Sequence, residues 1–202
     1  MSNGVVHIID DDEAIRDSLG FLLRVNRIPF RVFSSPVEFL EASPPEGGCI
    51  LTDVRMPEMN GVEMVRRLKA RGDRAPVIVM TGHADVPLAI EAMKAGVVDF
   101  IEKPFEEGQL LAAINAALAQ GKAQRDQDTT LIETRKRLAA LSPREREVLD
   151  GLVEGKANKV IAFDLGISPR TVEIHRANLM GKMQARSLSE LVRMALSVRD
   201  RD

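Results

Sequence analysis

Five short β-branched runs, each followed by a stretch of helical periodicity, constrain the first 120 residues more than any other feature. The runs are "VVHII" at 5–9, "PFRVF" at 29–33, "GCILTD" at 48–53, "PVIVMT" at 76–81 and "VVDFIEKP" at 97–104. Between and after them lie amphipathic segments such as "DSLGFLLRVN", "GVEMVRRLKARG", "PLAIEAMKAG" and "EEGQLLAAINAALAQG", several closing at Gly or Asn as helices do. Near-continuous apolar strands alternating with helices predict a (βα)5 doubly wound parallel sheet covered on both faces.

After Gly121 the pattern changes. No Gly or Pro occurs until Pro143, and "KAQRDQDTTLIETRKRLAAL" is polar with sparse apolar positions. It reads as a mostly helical linker over 122–140, between a first domain over 1–121 and a second over 141–202. Beyond Leu141 every periodic segment is helical, and Ser142-Pro143 and Ser168-Pro169 set a capping residue ahead of a first-turn proline. The second domain is therefore expected to be an all-α four-helix unit.

Composition excludes several classes. A chain 45% hydrophobic and 29% charged is an ordinary globular one, and no run approaches the roughly 18–20 apolar residues of a membrane span. With no signal-peptide pattern and a single cysteine, Cys49, set in an apolar run, a cytoplasmic, reducing location is expected, with no disulfide framework and no multi-cysteine zinc site. Charge is unevenly placed: residues 1–122 hold 13 Lys and Arg against 18 Asp and Glu, and residues 123–202 hold 15 against 12. The back half can thus receive an anionic partner.

In an open parallel sheet, ligands collect outside the carboxyl ends of the strands. Strand 1 ends in Asp10 and Asp11, strand 3 in Asp53, strand 4 in Thr81 and strand 5 in Lys103. Converging carboxylates repel unless a cation joins them, and hard oxygen donors without His or Cys favour Mg2+ or Mn2+ over zinc. A carboxylate can also attack phosphorus, and the charge that develops then needs a cation, an ammonium and a hydroxyl around the phosphoryl oxygens. The set describes phosphoryl transfer. Asp12 and Glu13, just beyond, suit the first turn of a helix instead. His7 reads as structural, and His83, in the loop after Thr81, as a residue able to gate the site.

"IIDDDEAIR", "LTDVRMPEMNG", "VIVMTGHAD" and "KAGVVDFIEKPF" together resemble the receiver domain of two-component response regulators. The resemblance implies strand order 2-1-3-4-5, Asp53 as phosphoacceptor, and a metal held by Asp10, Asp11, Asp53 and the backbone carbonyl of Arg55. It further implies Thr81 and Lys103 as phosphoryl-binding groups, Phe100 as the aromatic switch, and a cis Lys103-Pro104 bond.

In "NKVIAFDLGISPRTVEIHRANLM", Ala162, the turn Gly166 and Val172 stand at helix-turn-helix spacing. Residues 156–193 carry seven basic side chains against three acidic ones, the footprint that phosphate contacts need. This half resembles the LuxR-type DNA-binding domain, and the whole chain the NarL/FixJ class of regulators. By position Arg170, Thr171, Glu173, Ile174, Ala177 and Asn178 would face the major groove, Glu173 accepting from a cytosine amino group and Ile174 or Ala177 touching a thymine methyl. Asn158, Lys159, Arg176 and Lys182 would contact phosphates.

The resemblance implies a sensor histidine kinase of FixL-like type, promoter DNA and RNA polymerase as partners. It also implies a homodimer formed through helix 4, strand 5 and helix 5. The resemblance of "MTGHADVPLAIEAMKAGVVDFIEKPFE" to regulators of this class implies oxygen-responsive control of nitrogen fixation, with another pathway served by a regulator of the same class as the alternative. Two other readings compete. A metal-dependent aspartyl phosphatase needs a general acid two residues after the nucleophile, where this chain has Arg55; a phosphorylation-independent DNA binder has no use for an intact Asp53, Thr81 and Lys103.

Overall fold

The apolar runs form five strands, β1 Val5–Ile9, β2 Phe30–Phe33, β3 Gly48–Asp53, β4 Val77–Thr81 and β5 Asp99–Glu102. The computed structural model describes residues 4–42, 47–82 and 86–199, so His83 lies outside the described residues. All pairings are parallel and the order is β2-β1-β3-β4-β5. Strand order reverses beside β1 and β3, which brings the ends of those two strands to the edge of one crevice.

Alternation along the central strands divides the core in two. Ile50, Val77 and Val79 point to one face, where they pack with Phe39 of α2 (Pro36–Glu41), Met64, Val65 and Leu68 of α3 (Gly61–Ala70) and Ala92 of α4 (Val86–Ala95). Cys49, Leu51, Ile78 and Met80 point to the other, against Leu19 and Leu23 of α1 (Glu13–Val25) and Leu110, Ile114 and Leu118 of α5 (Glu107–Ala139). Burial of each such side chain contributes about 1.5–3 kcal/mol. Cys49 belongs to this core, and burial pushes its thiol up to about 12. His7 is likewise structural, its ring packed against Phe33 and Phe39.

β2 and β4 each start one residue later than the sequence reading, and two other boundaries differ by more. β5 covers only Asp99–Glu102, because the Val97 N–H donates back to Ala92 at the end of α4 and Pro104 has no N–H for a ladder. More consequentially, α5 does not stop at Gly121: this 33-residue helix reaches Ala139 and takes in the segment expected as a mostly helical linker. Gly121 serves a close approach instead of a stop: a Cβ there would lie 2.7 Å from the Gly48 carbonyl oxygen and 3.2 Å from Pro76 Cδ. The chain separates into two compact units at residues 126/127, a boundary that falls within α5.

The second unit contains α6 (Pro143–Val153), α7 (Asn158–Leu165), α8 (Pro169–Met183) and α9 (Leu188–Arg199). Ser142 and Glu145 form a reciprocal capping box at the start of α6. Gly166, at φ 65°, ends α7 in the left-handed conformation, and Ser168 with Pro169 starts α8 two residues later. Val148, Leu149, Ile161, Val172, Leu179 and Leu191 share one core. Glu145 is buried beneath it all and accepts from Lys182 Nζ at 2.7 Å, linking α6 to α8. Among the described residues no helix is long and apolar enough to cross a membrane.

Two measurements check this packing. Gly121→Ala is expected to destabilise the first unit by about 1–3 kcal/mol through overpacking, read as a lower denaturant midpoint. Lys182 and the Ser142 N–H hold the Glu145 carboxyl down from 4.5 to about 2 against the opposing effect of burial. A depressed carboxyl stabilises the fold above its unfolded value and loses that contribution as pH falls through the folded one. Glu145→Gln should therefore cost about 1–2 kcal/mol at neutral pH. In denaturation at a series of pH values, the gap between wild type and variant should close between pH 4.5 and about 2.

Candidate phosphoacceptor site and nucleic-acid interface

At the carboxyl edge of the sheet, three charged side chains meet: Asp10 just after β1, Asp53 at the end of β3 and Lys103 just after β5. Lys103 Nζ donates to Asp53 Oδ1 at 2.7 Å and to Asp10 Oδ2 at 3.0 Å. Each remaining carboxylate oxygen is held by the backbone: Asp53 Oδ2 accepts from the Arg55 N–H at 2.7 Å, and Asp10 Oδ1 from the Asp12 N–H at 3.0 Å. The backbone of Lys103 is tied to β4, its N–H donating to the Thr81 carbonyl at 2.7 Å; the Lys103-Pro104 bond is cis.

Depth distinguishes the two acids. Asp10 is 1% exposed and Asp53 9%, so a path from solvent leads to Asp53. Burial pushes the Asp10 carboxyl above its ordinary range, although the Asp12 N–H and Lys103 pull the other way. For Lys103, burial alone would favour the neutral amine, but hydrogen bonds to Asp53 and Asp10 together outweigh it and raise its pKa. The two carboxyl groups thus favour the charged ammonium of Lys103 despite its burial.

The other residues expected here take distinct places. Thr81 is buried at the end of β4, and Phe100 is half-buried on β5 against the cluster that includes Ala92 and Val97. Asp11 is exposed, and Asp12 caps α1 by accepting from the Ala14 N–H at 2.8 Å. Gly61 is required by the site itself: a Cβ there would strike the backbone carbonyl oxygen of Asp53. Among the described residues no three His, Cys, Asp or Glu side chains are grouped to hold a metal ion. Lys103 bonds to both inner carboxylates, while Asp11 stays at the surface; the donors are nevertheless all hard oxygens, which suit Mg2+ in type. Sequence reasoning missed Arg16, which donates to the Asp10 carbonyl at 2.7 Å and braces the turn after β1 from α1.

In the second unit α8 presents Arg170, Glu173, Ile174, Ala177 and Asn178 to solvent, opposite the buried Val172, Leu179 and Met183. Thr171 is only half-exposed and its hydroxyl bonds that of Ser168 at 2.8 Å. Lys159 is exposed on α7. Arg176 instead donates to Asn158 Oδ1 at 3.4 Å, and Lys182 is engaged by Glu145, so both also hold helices together. The capping pattern Ser-Pro-Arg-Glu at 142–145 was the available signal for Glu145, though not for its reach to α8.

Comparison with known proteins agrees with this geometry. Residues 6–115 match the response regulator receiver domain family, and residues 139–195 match bacterial regulatory proteins of the luxR family. The transcriptional regulatory protein FixJ of Azorhizobium caulinodans is 56% identical over 192 residues, 95% of this chain and 91% of that protein. A crystal structure of full-length FixJ from B. japonicum covers 99% of both chains at 48% identity and TM-score 0.60. The response regulator StyR matches 96% of this chain and 98% of its own at 38% identity and TM-score 0.84. With a receiver whose carboxylates converge on one lysine and a helix-turn-helix of luxR type behind it, the chain belongs to the two-component response regulators, as a FixJ-like transcriptional regulator.

Proposed function

We propose that Asp53 accepts a phosphoryl group from a sensor histidine kinase and that this modification switches the protein from a resting form to a dimer with high affinity for promoter DNA. The observation that carries the reading is the double hydrogen bond of Lys103 to Asp53 and Asp10. It fixes the Asp53 carboxyl group in orientation while leaving it partly open to solvent, as a nucleophile toward phosphorus must be.

An Asp53 oxygen attacks the phosphorus of the kinase phosphohistidine, the P–N bond breaks, and an aspartyl acyl phosphate remains. Asp10, Asp11, Asp53 and the Arg55 carbonyl would hold Mg2+, which supplies charge neutralisation of the phosphoryl oxygens. Lys103 follows the new phosphate as its ion-pair partner. The Thr81 hydroxyl, at the end of the neighbouring strand, donates to a phosphoryl oxygen, and Phe100 moves into the space that shift leaves. Because position 55 offers an arginine instead of a general acid, the acyl phosphate turns over only by slow self-hydrolysis.

These shifts alter the face formed by α4, β5 and α5. Val86, Ile90 and Met93 expose apolar side chains on α4, the kind of surface a second copy would cover. Dimerisation through this face matches the two-fold symmetry of paired DNA half-sites. On the DNA, Arg170, Thr171, Glu173, Ile174, Ala177 and Asn178 face base edges, and Asn158, Lys159, Arg176 and Lys182 line the phosphates. In the cytoplasm the protein then recruits RNA polymerase. A FixL-like, oxygen-sensing kinase and nitrogen-fixation promoters are the partners this reading assigns, with a regulator of the same class serving another pathway as the alternative.

A shift of the active form from 1:99 to 99:1 requires phosphorylation to favour it by about 5.5 kcal/mol. With acetyl phosphate and Mg2+, wild type is expected to dimerise in light scattering and to bind promoter DNA at least tenfold more tightly. Asp53→Asn should show neither response, and an unchanged response in that variant contradicts the mechanism.

A further inference from the structure

The backbone of Asp10 is gripped from two sides, and both grips lead to one exposed carboxylate on α2. On the amide side, the Asp10 N–H donates to the Phe33 carbonyl at 3.3 Å, and the next residue, Ser34, donates to Glu38 Oε2 through both its N–H and its hydroxyl, each at 2.7 Å. On the carbonyl side, the Asp10 oxygen accepts from Arg16 Nη1 at 2.7 Å. The Arg16 charge reaches Glu38 in turn: hydrogen bonds from Ser34, aided by Arg16 and opposed by burial, hold the Glu38 carboxyl below its ordinary range. Asp10, Phe33 with Ser34, Glu38 and Arg16 thus close a ring that ties the turn after β1 to the turn after β2.

Arg16 stands against its local preference. It is the fourth residue of α1, and a cation so near a helix N-terminus opposes the macrodipole. Among the described residues its side chain hydrogen-bonds nothing besides the Asp10 carbonyl. That carbonyl belongs to the peptide joining Asp10 to Asp11, two of the carboxylates assigned to the metal, so fixing it fixes the direction in which both side chains leave the backbone. Groups that orient metal ligands without touching the metal change its affinity by about 10- to 100-fold. Resting on the phosphoacceptor reading above, we propose that Arg16 and Glu38 are positioning residues for the metal: Arg16 holds the peptide between Asp10 and Asp11 in the direction that receives a divalent cation, and Glu38 holds Arg16. Metal affinity is then set in part from α2, an element that supplies no ligand. The coupling is reciprocal, so a bound cation tightens the turn after β2.

Mn2+ is the probe, because its free form is counted directly by electron paramagnetic resonance and it shares the oxygen preference of Mg2+. Arg16→Gln removes the charge and is expected to raise the Mn2+ dissociation constant of the full-length protein about tenfold. The Mg2+ concentration at half-maximal labelling of Asp53 by acetyl phosphate should rise by a similar factor. Glu38→Gln keeps an acceptor for Ser34 and removes only the charge that acts on Arg16. It should weaken Mn2+ binding about threefold in the wild type and leave it unchanged in the Arg16→Gln background, since one residue acts through the other. Unchanged Mn2+ affinity in either single variant, whatever its thermal midpoint without metal, or equal weakening by Glu38→Gln in both backgrounds, overturns the positioning role and leaves the phosphoacceptor standing. A wild type that binds no Mn2+, or binds it as tightly after Asp53→Asn, overturns both this inference and the metal assignment beneath it.

Discussion

The ammonium of Lys103 is the element on which the rest of the first unit depends. Two carboxylates brought together at the ends of adjacent strands, one of them 1% exposed, repel each other and lose hydration. Lys103 offsets both costs with hydrogen bonds of 2.7 and 3.0 Å, and its own charge is kept against burial by the same contacts. The sheet order β2-β1-β3-β4-β5 exists, in functional terms, to deliver these groups. β1 and β3 adjoin, so Asp10 and Asp53 converge, and β4 spaces β5 so that Lys103 reaches across Thr81.

Most of this was legible in the sequence because the signals are local or periodic. β1 and β3 have the bounds that their apolar runs suggest, and the helix-turn-helix announces itself through Gly166 and the Ser168-Pro169 start. The cluster "DDDE" divides in three: Asp10 enters the site, Asp12 and Glu13 begin α1, and Asp11, expected beside Asp10, stays exposed. What was not legible depends on contacts between distant segments. Gly121 resembled a helix stop, yet its glycine answers to Gly48 and Pro76, more than forty residues away in sequence. Arg16 binds the Asp10 carbonyl across a turn that no sequence pattern marks.

The second unit shows a comparable economy with cations. Lys182 and Arg176 belong by position to the face that would meet phosphates, but one anchors buried Glu145 and the other bonds Asn158 at the start of α7. The basic residues that fix the helices overlap with those proposed to contact DNA, which would couple the geometry of α8 to the integrity of its support.

The central claim is that Asp53, and no neighbouring carboxylate, forms the acyl phosphate. Borohydride reduces an aspartyl phosphate to homoserine, which peptide mass spectrometry locates by residue. After treatment of the full-length protein with acetyl phosphate, the account predicts homoserine at position 53 alone, and only when Mg2+ is present. Homoserine at position 10 or 11, or none at position 53 under any metal condition, would contradict it.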